Sequence, residues 1–268
     1  MALTTIGLMA LLGCFTGFMA GLLGIGGGMI ITPFLIMLIP SSLIPHEHIV
    51  HVAIATSLAT IAFTSLSSVR AHHKRGAVLW NVVASVAPGI LVGAVVGAQI
   101  AGWLPTFWLS LIFAAFVGFS AFKMFLNKSP RPDRNLPGTI GKFFMGIAIG
   151  ILSALVGAGG GFISVPWMIW CNVKMQNAVA TSAAFGFPIA LFGTIGYIIS
   201  GWNVSGLPPW PIDLGYICIP ALFSVAITSV LFAPLGAKVA HSIDTKPLKK
   251  IFACLLCFVC LYMIRQAY

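Results

Sequence analysis

Gly21-Leu-Leu-Gly24-Ile-Gly26-Gly27-Gly28-Met-Ile-Ile-Thr-Pro33 recurs later in the chain as Ala154-Leu-Val-Gly157-Ala-Gly159-Gly160-Gly161-Phe-Ile-Ser-Val-Pro166. The offset is 157 − 24 = 133 residues, and it holds from Gly13/Gly146 through Pro33/Pro166. Ala55-Thr56-Ser57 then matches Ala180-Thr181-Ser182 at 181 − 56 = 125, because the first copy has a longer loop around Pro45. Gly97-Ala98-Gln99 matches Gly236-Ala237-Lys238. The fold is therefore to be read as one unit made twice.

Working outward, each copy is almost entirely apolar. The 268 residues are 59% hydrophobic and 7% charged, against about 25% charged in water-soluble domains. Too little polar surface exists to cover a soluble globule, whereas a bilayer accepts apolar side chains and asks for runs of about 20 of them. Such runs lie at Leu3–Leu23, Ile25–Ile44, Ile49–Val69, Val78–Ala101 and Phe107–Leu126, and again at Ile140–Val156, Ala158–Cys171, Ala178–Ser200, Leu214–Val239 and Leu248–Ile264. Met1–Gly21 has no Lys or Arg at its start and no polar break after it, so it reads as the first membrane helix rather than a signal peptide. The polar stretch 127–139, with Pro130, Pro132 and Pro137, reads as a linker. The expected organisation is an all-α polytopic membrane protein: a membrane repeat over 1–126, a cytoplasmic linker over 127–139 and a second membrane repeat over 140–268.

The net charge of +10 does not point to nucleic acid, because the cations sit in short loops between apolar runs rather than on one solvated face. Arg70, Lys74 and Arg75, then Lys128, Arg131 and Arg134, then Lys174, then Lys246, Lys249 and Lys250 fall on one side if all ten runs cross. That side should be the cytoplasm. Their counterparts, Trp202–Pro211 and Gly102–Thr106, carry no Lys or Arg. Five crossings per copy invert the second copy and place both termini outside. An eight-helix version, with the Gly segments only partly inserted, is the main alternative and fits the charges less well.

The Gly runs admit two serious readings. Small residues let membrane helices pack closely. They also let a helix break near the bilayer centre, where irregular backbone is tolerated only if it is buried in protein or lines a cavity. Matching breaks in two inverted copies are the best sequence pointer to a transport site. A broken helix offers free N–H groups and a positive dipole end, both suited to an anion. Candidate binding residues are Gly24, Gly26, Gly27, Gly28, Gly157, Gly159, Gly160 and Gly161, together with the hydroxyls of Thr56, Ser57, Thr181 and Ser182. Those hydroxyls serve equally well for bonds between helices. Pro33 and Pro166 are expected to keep the following segments irregular. Gln176, Asn177 and His51 are weaker candidates.

No carboxylate falls within a segment core: Glu47 and Asp244 are in loops, Asp133 is in the linker, and Asp213 is at a segment edge. An acid-based proton relay is therefore not expected, and the four acids should be dispensable for export driven by the membrane potential. His46, Glu47, His48 and His51 lack partner ligands for a metal, and His72 and His73 read as solvated. The six cysteines lie in apolar segments and read as small apolar residues rather than a disulfide or metal framework. No metal and no cofactor is called for.

Through the two Gly-rich motifs with Pro33 and Pro166, and the Ala-Thr-Ser triplets ending at Ser57 and Ser182, the sequence resembles the sulfite exporter TauE/SafE family of membrane permeases over nearly its whole length. The resemblance implies a secondary transporter, an exporter of small sulfur-containing anions such as sulfite or organosulfonates, in the plasma or inner membrane. An anion channel or a permease for another small organic anion is the alternative. Partners are then the anion and the lipid bilayer, with a homo-oligomer compatible with the sequence. A membrane enzyme of the same topology would need a nucleophile, a carboxylate pair or metal ligands at membrane depth, and none stands out.

Overall fold

The computed structural model describes residues 3–23, 27–39, 44–126, 135–208, 213–240 and 246–267. Among these residues ten helices follow the ten apolar runs: α1 Leu3–Leu23, α2 Gly28–Leu38, α3 Ile49–His73, α4 Trp80–Trp103, α5 Thr106–Leu126, α6 Thr139–Val156, α7 Gly161–Trp170, α8 Met175–Gly201, α9 Ile219–Ala240 and α10 Lys246–Ala267. A short antiparallel hairpin, β1 Asp213–Leu214 and β2 Ile217–Cys218, precedes α9. The expected ninth run from Leu214 thus opens as a hairpin.

Seven helices are long and apolar enough to cross a membrane among the described residues: α1, α3, α4, α5, α6, α8 and α9. The expectation of ten full crossings changes at α10, whose apolar stretch is the shorter Ile251–Ala267, and most of all at α2 and α7. With 11 and 10 residues, they rise about 16 and 15 Å, half of a 30 Å hydrocarbon layer. The Gly clusters consume the front of each run, so helix begins only at Gly28 and Gly161. Pro33 and Pro166 lie inside α2 and α7, each as its sixth residue, and the helix continues past both. Each removes one N–H but does not leave the segment irregular.

The outer surface is apolar and the interior holds the hydroxyls. Leu11, Leu231, Ile251 and Leu261 are each about two-thirds exposed, whereas Thr56, Ser57, Thr181 and Ser182 are fully buried. Lipid is the solvent that fits this distribution.

The helices pack at glycines. A Cβ added to Gly13 would lie 2.4 Å from the Val225 carbonyl oxygen, one on Gly17 2.2 Å from that of Ser229, and one on Gly236 1.9 Å from that of Phe18, so α1 and α9 touch backbone to backbone. The same contacts join α6 to α4: Gly146 to Val86 at 2.3 Å, Gly150 to Ile90 at 2.7 Å, and Gly97 to Ile151 at 2.7 Å. Each pair maps onto its counterpart by the offsets 146 − 13 = 133 and 236 − 97 = 139. Small residues at such interfaces maximise van der Waals packing where lipid supplies no hydrophobic drive.

These pairs also fix the running sense. Residue numbers rise together in α1 with α9 and in α4 with α6. They also rise together in α3 with α9 (Thr56 to Cys218, Thr64 to Ser229) and in α4 with α8 (Leu79 to Thr181, Gln99 to Gly196). Between α3 and α8 they oppose, Leu58 meeting Gly193 and Ser65 meeting Gly186. Thus α1, α3 and α9 run one way and α4, α6 and α8 the other. One end of the bundle then collects Arg70, Lys74, Arg75, Lys123, Lys142, Lys174 and Lys238. The opposite end carries Glu47, Asp213 and Arg265, the last beside Gln266, whose side chain bonds His46 at 3.0 Å. Lys128, Arg131 and Arg134 lie outside the described residues.

Candidate functional site

The two short helices begin back to back halfway through the bundle. Gly27 and Gly160, related by 160 − 27 = 133, are their N-caps, with φ of 73° and 75°. Glycine adopts this left-handed backbone without the steric penalty of a Cβ. The first bonds of α2 run from the N–H of Ile30 and Ile31 to Gly27, and those of α7 from Ile163 and Ser164 to Gly160. The N–H groups ahead of them have no intrahelical partner, and neither helix has a side-chain cap. A Cβ on Gly28 would sit 1.9 Å from the Gly157 carbonyl oxygen and 2.7 Å from Ile61, midway along α3. One on Gly160 would sit 2.7 Å from Ile189, midway along α8. Both loops therefore lie at the middle of the long helices.

Hydroxyls tie the loops down. Ser57 donates to the Gly157 carbonyl at 3.1 Å and faces that of Gly28 at 3.5 Å, so it bridges the two loops. Ser164 donates to Ser182 at 2.8 Å, holding α7 on α8. Thr56 and Thr181 hold helix ends. The Cys218 N–H donates to Thr56 and the Leu79 N–H to Thr181, each at 3.0 Å, at equivalent places before α9 and α4. Acceptance leaves each Thr its own proton for a further partner. The Gly159 carbonyl faces Gly186 on α8, 3.8 Å from where a Cβ would stand there. Gly24 and Gly26 lie outside the described residues.

Two hydroxyls were not singled out by the sequence. Thr32 and Ser153 are fully buried, and their oxygens have no hydrogen-bond partner among the described residues. They lie 3.0 and 3.1 Å from where a Cβ would stand on Gly157 and Gly160. Their repeat counterparts are Val165 and Ala20, so a search for duplicated hydroxyls passes over both. The segments meeting here, 27–38, 157–170, 54–66 and 179–193, contain no Asp, Glu, Lys or Arg. The result is an uncharged centre with backbone N–H groups and two hydroxyls that have no partner among the described residues.

Histidines depart from expectation. His72, expected to be solvated, is fully buried and bonds the Gly21 carbonyl at 3.2 Å, while His73 is exposed and accepts from the Trp80 ring N–H. His51 lies at the other end, its Nε2 3.1 and 3.0 Å from the carbonyls of Ala101 and Leu104 at the end of α4. There it satisfies carbonyls that the helix leaves open. Gln176, its counterpart, is exposed. Asp213, expected at a segment edge, is 4% exposed.

A family described as sulfite exporter TauE/SafE matches residues 9–263. The chain belongs to this family. Its relatives include a probable membrane transporter protein of Haemophilus influenzae, 34% identical over 97% of this chain and 98% of its own length. The probable membrane transporter protein MJ0441 of Methanocaldococcus jannaschii is 27% identical over 96% of this chain and 94% of its own. YdhB of Bacillus subtilis, also a probable membrane transporter protein, is 30% identical over 69% and 76% respectively. No solved structure matches. With its membrane-spanning helices, this TauE/SafE chain is a multi-pass membrane transporter.

Proposed function

We propose that the chain is a secondary transporter that exports a small sulfur-containing anion, sulfite or an organosulfonate, and that it is not an enzyme. The observation that carries this reading is the meeting of two uncapped helix starts, α2 and α7, at mid-bundle. Each directs N–H groups and the positive end of a helix dipole to one place. An anion there also gains hydroxyl donors, with Thr32 and Ser153 beside the loops and Ser57 between them. The sulfur oxyanion class rests on the family description; the site itself asks only for a compact anion.

The two copies are read as inverted repeats, 1–126 and 140–268 joined by 127–139. Support comes from the glycine contacts that exchange between halves and from the opposed sense of α3 and α8. The basic end is read as cytoplasmic, which puts the starts of α1 and α3 and the end of α10 outside. Half-length helices at the centre of such repeats suit alternating access around a fixed site. A channel is the second reading, favoured only by the lack of charged groups near the loops.

Proteoliposomes carrying the purified chain and a panel of sulfite, sulfate, small sulfonates and small carboxylates test it. The expected result is saturable flux of one sulfur-containing anion, inhibited by its analogues. Flux that rises linearly with concentration and shows no competition would establish the channel instead.

A further inference from the structure

The stretch from Thr181 to Cys218 is longer than the equivalent stretch from Thr56 to Leu79 by 139 − 125 = 14 residues. This stretch includes the β1–β2 hairpin, at the end opposite the basic loops. In that hairpin Asp213 stands in register with Cys218. Cys218 in turn donates its N–H to Thr56, and the next residue, Ser57, bridges the glycine loops. The acid is thus one strand rung and one side-chain bond from the site.

Asp213 is 4% exposed, and among the described residues its carboxylate meets no donor stronger than the Cys218 thiol, a weak one. No ion pair reaches it among them either, the one found there being His48 with Glu47 at 3.6 Å. A buried, unpaired carboxylate is costly in its charged form and takes a proton readily. Burial pushes its pKa up to about 6, and the neighbouring Cys218 thiol offsets only part of that. The thiol is itself pushed up to about 12, chiefly by burial, so it stays neutral. The other titratable groups around the hairpin are Tyr216, raised by burial, His51 stacked on Tyr216 at 5.2 Å, His48 at 5.9 Å from the Tyr216 ring, and Tyr197 of α8 at 6.3 Å. The first half of α9 carries none.

We propose that Asp213 is a proton-binding site coupled to the anion site, so that the anion is held more tightly while Asp213 is protonated. This rests on the anion reading above. A charged Asp213 repels an anion held beside Thr56 and Ser57, and protonation removes the repulsion. By linkage the bound anion favours the proton in equal measure. The direction follows from the raised pKa: Asp213 is neutral below about pH 6 and charged above it. Anion binding should be strongest below that pH and weaken as pH rises through it, by roughly tenfold for a coupling of ordinary size.

The test uses full-length protein and isethionate, a sulfonate whose own charge is constant over the range. In proteoliposomes, wild-type isethionate exchange should fall about tenfold from pH 5.5 to 7.5. Asp213→Asn should be flat with pH and fast at pH 7.5. Because the chain has four acidic side chains, infrared spectra of the carboxyl C=O stretch can follow Asp213 directly. A protonated band should be present at pH 5.5, lost by pH 7.5, and absent from Asp213→Asn. A wild-type pH profile in Asp213→Asn, or no titrating band in the wild type, overturns the proposal. A titrating band in protein that moves no anion at any pH overturns the transport reading and leaves the protonation of Asp213 standing.

Discussion

The first and second halves of the chain use equivalent positions for the same bonds but fill them with different chemistry. His72 of α3 bonds the Gly21 carbonyl, and Tyr197 of α8, at 197 − 72 = 125, donates to the carbonyl of Ala154, at 154 − 21 = 133. Along the buried face of α3 stand Thr56, Thr60 and Thr64, and Thr64 meets Ser229 at 2.6 Å. The matching face of α8 reads Thr181, Phe185 and Ile189. Geometry is therefore shared where it builds the frame, at the glycine contacts and helix ends. It diverges beyond Thr56 and Thr181: hydroxyls line α3 towards the basic end, whereas Phe185 and Ile189 line α8 towards the opposite end. A pair of halves with one shape and two linings can hold one site at the centre while offering unlike routes to its two sides.

The largest effect expected is all-or-none. In a background without the six native cysteines, Cys placed at Lys74 and at Ser205 should be labelled by an impermeant reagent from opposite faces of the membrane. Labelling of both from one face would break the relation between halves that the shared frame implies.

The next concerns the two cap glycines. A Cβ on Gly27 would stand 2.9 Å from the Thr16 carbonyl oxygen, which is backbone, whereas one on Gly160 would meet side chains of Ile189, Ile149 and Ser153. Both also require the left-handed conformation. Gly27→Ala should lower stability by about 2 kcal/mol and Gly160→Ala by about 1 kcal/mol. Thermal unfolding in detergent would rank them, and the reverse order would mean that the two loops are not held alike.

Smaller changes probe the unlike linings. Tyr197→Phe removes the bond to Ala154 and should cost about 1 kcal/mol. The Thr64 and Ser229 pair should couple by only about 0.6 kcal/mol in a double-mutant cycle, since bonds between membrane helices are weak on net. Equal coupling from Ile189 and Ile90, which occupy the matching positions, would show that the hydroxyls add nothing.

Much of this was legible in the sequence. The apolar runs gave nine of the ten helices to within a few residues, because length and hydropathy decide a lipid-facing helix. The glycine repeat pointed to the two breaks because Gly27 and Gly160 require a conformation that other residues avoid. What escaped were properties of assembly. Thr32 and Ser153 look like ordinary hydroxyls until the partner loop is in place. His72 looked solvated because its neighbours Arg70, His73 and Lys74 are polar, while its own face of α3 turns inward onto α1. Asp213 stands at the edge of an apolar run, which does not reveal the β1–β2 hairpin in which it is buried. α2 is shorter than its apolar run because such a run does not reveal where the Gly cluster lets the helix begin.

Equilibrium binding of sulfite to purified protein tests the central reading most directly, with wild type beside Gly27→Leu and Gly160→Leu. A Leu side chain at either position would fill the space where the proposed site needs backbone to approach an anion. The expected result is saturable binding by the wild type, competed by a sulfonate, and its loss in each variant that keeps the wild-type helical content. Undiminished binding by both variants would contradict a site at the meeting of the glycine loops.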